Sequence, residues 1–187
     1  MKDKSFLVSF SFLFIFSIGI FAQISPLVRD DNVKNAALIR PRIYRETSNI
    51  NSTTIANLEK QGFELINQKR VEIGLEILTW NNDCANIARL HSENMANHKF
   101  FNHAGLDGTM VNDRADAIGL SKWRAIGENI AYNLGYENPL ETAVEGWMRS
   151  PSHHDNILNN RWKESAIGIA IAADGAYYFT QVFLLRK

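Results

Sequence analysis

The stretch Ser165-Ala166-Ile167-Gly168-Ile169-Ala170-Ile171-Ala172-Ala173, then Asp174-Gly175, then Ala176-Tyr177-Tyr178-Phe179-Thr180-Gln181-Val182-Phe183-Leu184-Leu185 reads as two strands and a turn. Asp-Gly is a pair favoured in the two-residue type I′ hairpin, because glycine adopts positive φ without strain. A strand with one face in water alternates apolar and polar residues. These two are apolar at nearly every position, so their sheet is covered on both faces. Alanine and glycine dominate the first run, which suits a strand approached closely by a covering layer.

The covering layers are legible upstream as helices. From Thr54, residues Ile55, Leu58, Gly62, Leu65 and Ile66 fall on one helical face, and Gly74 supplies a stop. Leu75 to Trp80 is a short extended link. Asn81 or Asn82 caps a second helix, on which Cys84, Ile87, Ala88, His91 and Met95 share one face. Thr109 to Ile118 reads as a third helix ended by Gly119. Asn138-Pro139-Leu140-Glu141 is a helix start, with Asn138 positioned to accept from free amides and Pro139 at the first helical residue. Leu140, Ala143, Val144, Trp147 and Met148 form its apolar stripe, and Pro151 ends it. Helices before and strands after predict an α+β fold: a three-layer α-β-α sandwich with a central, mainly antiparallel sheet.

The N-terminus reads as a targeting segment. Lys2 and Lys4 precede an apolar run from Phe6 to Phe21, and Ala22 offers a small residue for cleavage before Gln23. The rival reading is a retained anchor, but the run is shorter than the roughly 20 residues of a typical span and carries Ser9, Ser11 and Ser17. The expected organisation is a signal peptide over 1–22, a linker or extension over 23–53, and one domain over 54–187. This implies a secreted or periplasmic protein with no stable membrane span after cleavage. Losing residues 1–22 removes Lys2, Lys4 and Asp3 from 20 basic and 20 acidic side chains, so the mature chain carries a net charge of −1. That excludes a strong field for nucleic acid. Cys84 is the single cysteine among 187 residues, so no disulfide forms within the chain. Its apolar helix position suits a buried free thiol rather than a nucleophile.

Chemistry concentrates in three segments: Phe100-Phe101-Asn102-His103-Ala104-Gly105, Gly127-Glu128-Asn129-Ile130-Ala131, and Trp147 through Leu158, which contains Ser150-Pro151-Ser152-His153-His154-Asp155. Each sets a His or Glu among residues that read as buried or turn-forming, the pattern of a shared polar site. Together with Leu78-Thr79-Trp80-Asn81, His91 to Ala96, Gly108 to Gly119, Ile167-Gly168-Ile169 and Thr180 to Phe183, they resemble the CAP superfamily, also called the SCP-like extracellular domain. The resemblance spans roughly residues 54 to 185. Animal and plant members usually carry several disulfides; a lone Cys84 resembles a bacterial member.

The resemblance implies the α-β-α sandwich and a cleft of two His and two acidic residues that in some members binds zinc or magnesium. His103, Glu128 and His153 match three of those positions as a candidate metal set, and zinc suits the two imidazoles better than magnesium. The fourth position holds Ser150. Glu145 is no substitute, since five helical residues turn its side chain about 140° away from that of Ser150. His154 and Asp155 are further candidates. Two alternatives stand beside metal binding: Glu128 can pair with a histidine in a purely structural network, or the cleft can serve a metal-assisted hydrolase of peptide or envelope polymer. What the resemblance implies is foremost a non-enzymatic binding module for lipid, an envelope component or an extracellular protein. His91 reads as a hydrogen-bonded core histidine, Arg114 as an anchor for backbone or a carboxylate, and Trp147 as core.

Overall fold

A computed structural model describes residues 36–187, with side chains from Thr54 onward. The expected signal peptide and cleavage point lie outside these residues. The chain divides at Arg40, and residues 41–187 form the unit described here.

Among the described residues nine elements follow in order: α1 (Ala36–Glu72), β1 (Thr79–Trp80), α2 (Asn82–His98), α3 (Val111–Ala117), β2 (Trp123–Asn133), α4 (Pro139–Arg149), α5 (Pro151–Ile157), β3 (Glu164–Ile171) and β4 (Tyr177–Arg186). The four strands form one sheet in the order β1-β3-β4-β2. The short β1 runs parallel to β3; the β3–β4 and β4–β2 pairs are antiparallel. The sheet is therefore mainly antiparallel, as expected. Two strands nevertheless fall among the helices rather than after them, and α1 begins well before Thr54.

Both faces of β3 and β4 are covered. On one side α2 and α3 bring Cys84, Ala85, Ile87, Ala88 and Ala115 against Ala166, Val182 and Leu184. On the other, Phe63 and Ile66 of α1, Leu140, Val144 and Trp147 of α4 and Ile157 of α5 close over Ile167, Ile169, Phe179 and Phe183. Alternation along each strand sends the small residues of β3 toward α2 and its isoleucines the other way. This is the three-layer sandwich.

Gly168 sets the spacing of the α2 layer. A Cβ on it would lie 2.2 Å from the Arg89 nitrogen and 2.4 Å from the Ala88 carbonyl carbon, both backbone atoms. The contact is locked by Ser92, whose Oγ donates to the Gly168 carbonyl at 3.0 Å and lies 2.9 Å from Thr180 Oγ1.

Beyond β1, the outer edge of β3 is covered by a side chain. Glu59 of α1 is fully buried and accepts from the Ile169 N–H at 3.2 Å, while Arg89 of α2 grips the same carboxylate at 2.6 Å. Arg70 performs a similar task elsewhere. It is almost fully buried and donates to the carbonyls of Glu76, Ile157 and Asn159, tying the end of α1 to the end of α5.

Local signals met mixed outcomes. Asn81 caps α2 by accepting from the Cys84 amide at 2.9 Å, and Cys84 is a buried free thiol whose pKa burial pushes up to about 12. Asn138 precedes α4, but its side chain makes no capping bond; its carbonyl takes Thr142 instead. The hairpin is not a two-residue type I′ turn. Only Gly175 has positive φ, and the Ala172 amide bonds to the Ala176 carbonyl, leaving a three-residue loop with Asp174 Oδ1 accepting from the Ala176 amide. Asp174 avoids the left-handed region by this longer turn.

Gly168→Ala should destabilise the domain by about 3 kcal/mol, because the methyl group meets helix backbone that cannot rotate away. Urea unfolding measures it; a loss below ~1 kcal/mol would show that α2 can move off the sheet freely.

Candidate functional site

The site lies at the outer edge of β2 and draws on both helical layers. Glu128 and Asn129 are consecutive on that strand and so face opposite sides. Glu128 looks toward the α2–α3 layer. One carboxylate oxygen is 2.8 Å from His103 Nδ1, and the other accepts from Arg114 Nη2 of α3 at 2.6 Å. Its side chain is only 3% exposed, which makes both contacts strong and their loss costly. Arg114 also donates to the carbonyls of His103 and Thr109. It thus anchors backbone and a carboxylate together, as the sequence suggested.

The loop carrying His103 is held from a second direction. His91 of α2 is 1% exposed, and its Nε2 meets the Asn102 carbonyl at 3.0 Å. A carbonyl only accepts, so Nε2 carries the proton and Nδ1, which has no partner among the described residues, does not. Burial, first, keeps this imidazole less basic than usual; the Arg114 charge acts the same way, against Glu128. His91 is a core histidine that positions the loop.

Asn129 looks the other way, toward α5. It donates to the His153 carbonyl at 3.1 Å and accepts from Asn156 Nδ2 at 2.9 Å, while Asn156 also reaches the Glu128 carbonyl. Trp147 of α4 is core, as anticipated, and its indole N–H donates to the Ile130 carbonyl. The outward carbonyls of Glu128 and Ile130 are thereby satisfied by helix side chains, and this fixes α4 and α5 against the strand edge. Asn156 and the short α5 were not anticipated. A seven-residue helix leaves almost no periodic trace, although Pro151 at its first position signals a start as well as a stop.

Ser150 joins α4 to α5, and its Oγ lies 2.9 Å from His153 Nδ1. Burial, and second the neighbouring His103, hold His153 below the usual imidazole range, so the two rings sense each other. Glu145 pairs with Arg149 on the exposed face of α4, and His154 lies 3.4 Å from the exposed Asp155. These contacts engage Glu145, His154 and Asp155 away from His103, Glu128 and His153.

For a metal, the donors fit unevenly. Among the described residues no group of three or more His, Cys, Asp or Glu side chains is arranged to hold an ion. Both oxygens of Glu128 are engaged. The two imidazoles differ: each has its Nδ1 fixed by a partner and leaves Nε2 without a hydrogen bond among the described residues. A carboxylate or hydroxyl behind a ring is the arrangement that orients a metal-binding histidine.

The family model described as the cysteine-rich secretory protein family, CAP, matches residues 63–183. The chain belongs to the CAP family. Two Bacillus subtilis (strain 168) proteins are similar to it: YlbC, described as an uncharacterized membrane protein, is 37% identical over 68% of this chain and 34% of its own length, and YkwD, described as an uncharacterized protein, is 30% identical over 81% and 57%. The CAP domain here thus spans only part of each of these relatives. Among solved structures, an extracellular SCP-domain protein from Bacillus anthracis aligns with a TM-score of 0.61 at 26% identity, over 71% of this chain and 41% of that one. An outer surface protein from Borrelia burgdorferi aligns at 0.62 and 20% identity, over 68% and 92%, and supports the fold. The chain is a bacterial-type CAP protein.

Two outcomes follow from this geometry. Arg114→Met should cost about 3 kcal/mol, because it strands a buried carboxylate and two carbonyls; adding Glu128→Leu should recover part of that loss in a double-mutant cycle by urea unfolding. The pH dependence has a definite sign. Unfolded imidazoles take protons near 6.5, while folded His91 and His153 do so lower. In that window the unfolded chain binds more protons, so stability rises with pH and is lost as pH falls below about 6.5. The loss between pH 7 and 5.5 should be smaller in His91→Gln than in the wild type.

Proposed function

We propose that this CAP domain is an exported binding module that holds a zinc ion between His103 and His153. The observation that carries the reading is that both Nδ1 atoms are engaged, His103 on the Glu128 carboxylate at 2.8 Å and His153 on Ser150 Oγ at 2.9 Å; the carboxylate keeps the His103 proton on Nδ1, and with Ser150 Oγ accepting from His153 Nδ1 the Nε2 lone pair of each ring is the available donor. Glu128 then acts behind His103 rather than as a ligand. Water or a bound molecule completes the coordination, and nitrogen donors favour zinc over magnesium. Zinc supplies Lewis acidity toward an oxygen atom placed on it. Hydrolysis also needs a free base, and both Glu128 oxygens are committed to Arg114 and His103, so the geometry supports binding better than turnover. Export is supported by the basic and apolar N-terminus and by the description of the Bacillus anthracis neighbour as extracellular. Among the described residues no helix is long and apolar enough to cross a membrane.

Calorimetry with zinc decides the matter. The wild type should bind at pH 7.5 and more weakly at pH 6, since ligand nitrogens must be unprotonated. His103→Ala and His153→Ala should each abolish most binding. Glu128→Gln should weaken it about 10- to 100-fold through misorientation of His103. Ser150→Glu should tighten it by placing a carboxylate behind or beside His153. No zinc heat in the wild type and none in Ser150→Glu would make the cleft a hydrogen-bonded structural network.

A further inference from the structure

Beside His153, between the last residues of β2 and α4, lies a cavity of about 390 Å³. That volume is within the range of small-molecule sites. Its walls combine two kinds of group. Phe101, Tyr132 and Tyr136 line it while remaining 50%, 45% and 59% exposed. Phe101 and Tyr132 stand with ring centroids 6.2 Å apart, and Tyr132 is braced edge-on by Tyr178 at 4.9 Å. Phe101 and Tyr132 are thus braced by ring contacts while about half exposed, which is how a stacking surface differs from core. Asn133, Ser150 and His153 add polar groups. Asn133 is 6% exposed and donates Nδ2 to the Pro139 carbonyl, which ties the end of β2 to the start of α4.

Gly146 is the second indication. It lies in the interior of α4 and lines the same cavity. A glycine there is less favourable than alanine, and nothing in the fold requires it. A Cβ would meet no atom within 4 Å, and its φ is not in the positive region. The residue leaves room in the cavity rather than room for a packed neighbour.

We propose that this cavity binds a neutral saccharide, with a sugar ring lying on Tyr132 and Phe101 and its hydroxyl or acetamido groups reaching Ser150 and Thr142. The C–H face of a pyranose suits an exposed aromatic ring, and its hydroxyls suit hydroxyl partners. Charge argues the same way. Among the described residues no carboxylate lines the cavity, and its guanidinium, Arg149, is paired with Glu145. A fatty chain would leave the polar wall unsatisfied. The inference goes beyond the zinc reading and does not need it: Ser150 and His153 are shared, but the aromatic wall and Gly146 are not metal ligands.

Calorimetry on the full domain in the presence of EDTA tests it, with the β-1,4-linked trisaccharides of N-acetylglucosamine and of glucose as probes. At least one should give saturable heat without metal. Tyr132→Ala should weaken binding at least tenfold. Gly146→Phe should abolish it, while Gly146→Ala should retain it and raise the urea midpoint, which separates blocking from misfolding. The proposal is overturned if neither trisaccharide binds, or if Tyr132→Ala and Gly146→Phe, shown folded by circular dichroism, bind like the wild type. It is equally overturned if the cavity takes only an extended valine-threonine hexapeptide, which would make it a strand-edge peptide site.

Discussion

A helix backbone in van der Waals contact with a strand backbone is the constraint from which the rest of the domain follows. Gly168 leaves no space for a single carbon between β3 and α2, and Ser92 bridges the same contact to β4. Once α2 is seated at that distance, His91 is placed at the loop behind it. That loop is then held at the Asn102 carbonyl, and His103 can only turn toward β2. The position of the first imidazole is thus inherited from a missing side chain on a strand two positions across the sheet.

The second imidazole reaches the same edge from the opposite layer. β2 is a border strand, and the border lets α2–α3 residues and α4–α5 residues approach one another without passing through the sheet. Strand alternation assigns the labour: Glu128 organises His103 and Arg114, Asn129 organises the backbone of His153, and Asn156 stitches the two together. No residue of the pair His103 and His153 sits on the strand itself. His103, whose side chain is 41% exposed, is held by Glu128 at 3%, and the backbone of His153 is held by the fully buried Asn129, so buried groups position both residues.

Much of this was legible in the residues. The doubly apolar runs of β3 and β4 announced a covered sheet, Asn81 and Pro139 marked helix starts, and the face shared by Cys84, Ile87, Ala88, His91 and Met95 was the buried one. The polar character of β2 hid it. Glu128, Asn129 and Asn133 break the apolar pattern because they serve the site and the helix ends instead of the core. Arg70 and Glu59 were equally opaque, since a buried charge looks like a surface one until its partners arrive, 87 and 110 residues away in sequence. Asp174-Gly175 misled for a local reason: the same dipeptide serves a two-residue and a three-residue loop, and only the pairing of Ala172 with Ala176 distinguishes them. Of the candidate metal residues, the pairing of His103 with Glu128 could be foreseen as an alternative, but the competition from Arg114 for the same carboxylate could not.

The burial of Glu59 has a consequence for how the protein behaves in a crowd. Because β1 is only two residues long, most of the outer margin of β3 would otherwise offer its amides to any extended chain that drifted past. A carboxylate seated on the Ile169 amide and clamped by Arg89 repels further acceptors and fills the place a foreign strand would take. A chain with one cysteine has no covalent brace against partial opening. In such a molecule this ionic plug removes an edge amide on which a second copy could begin a continuous ribbon.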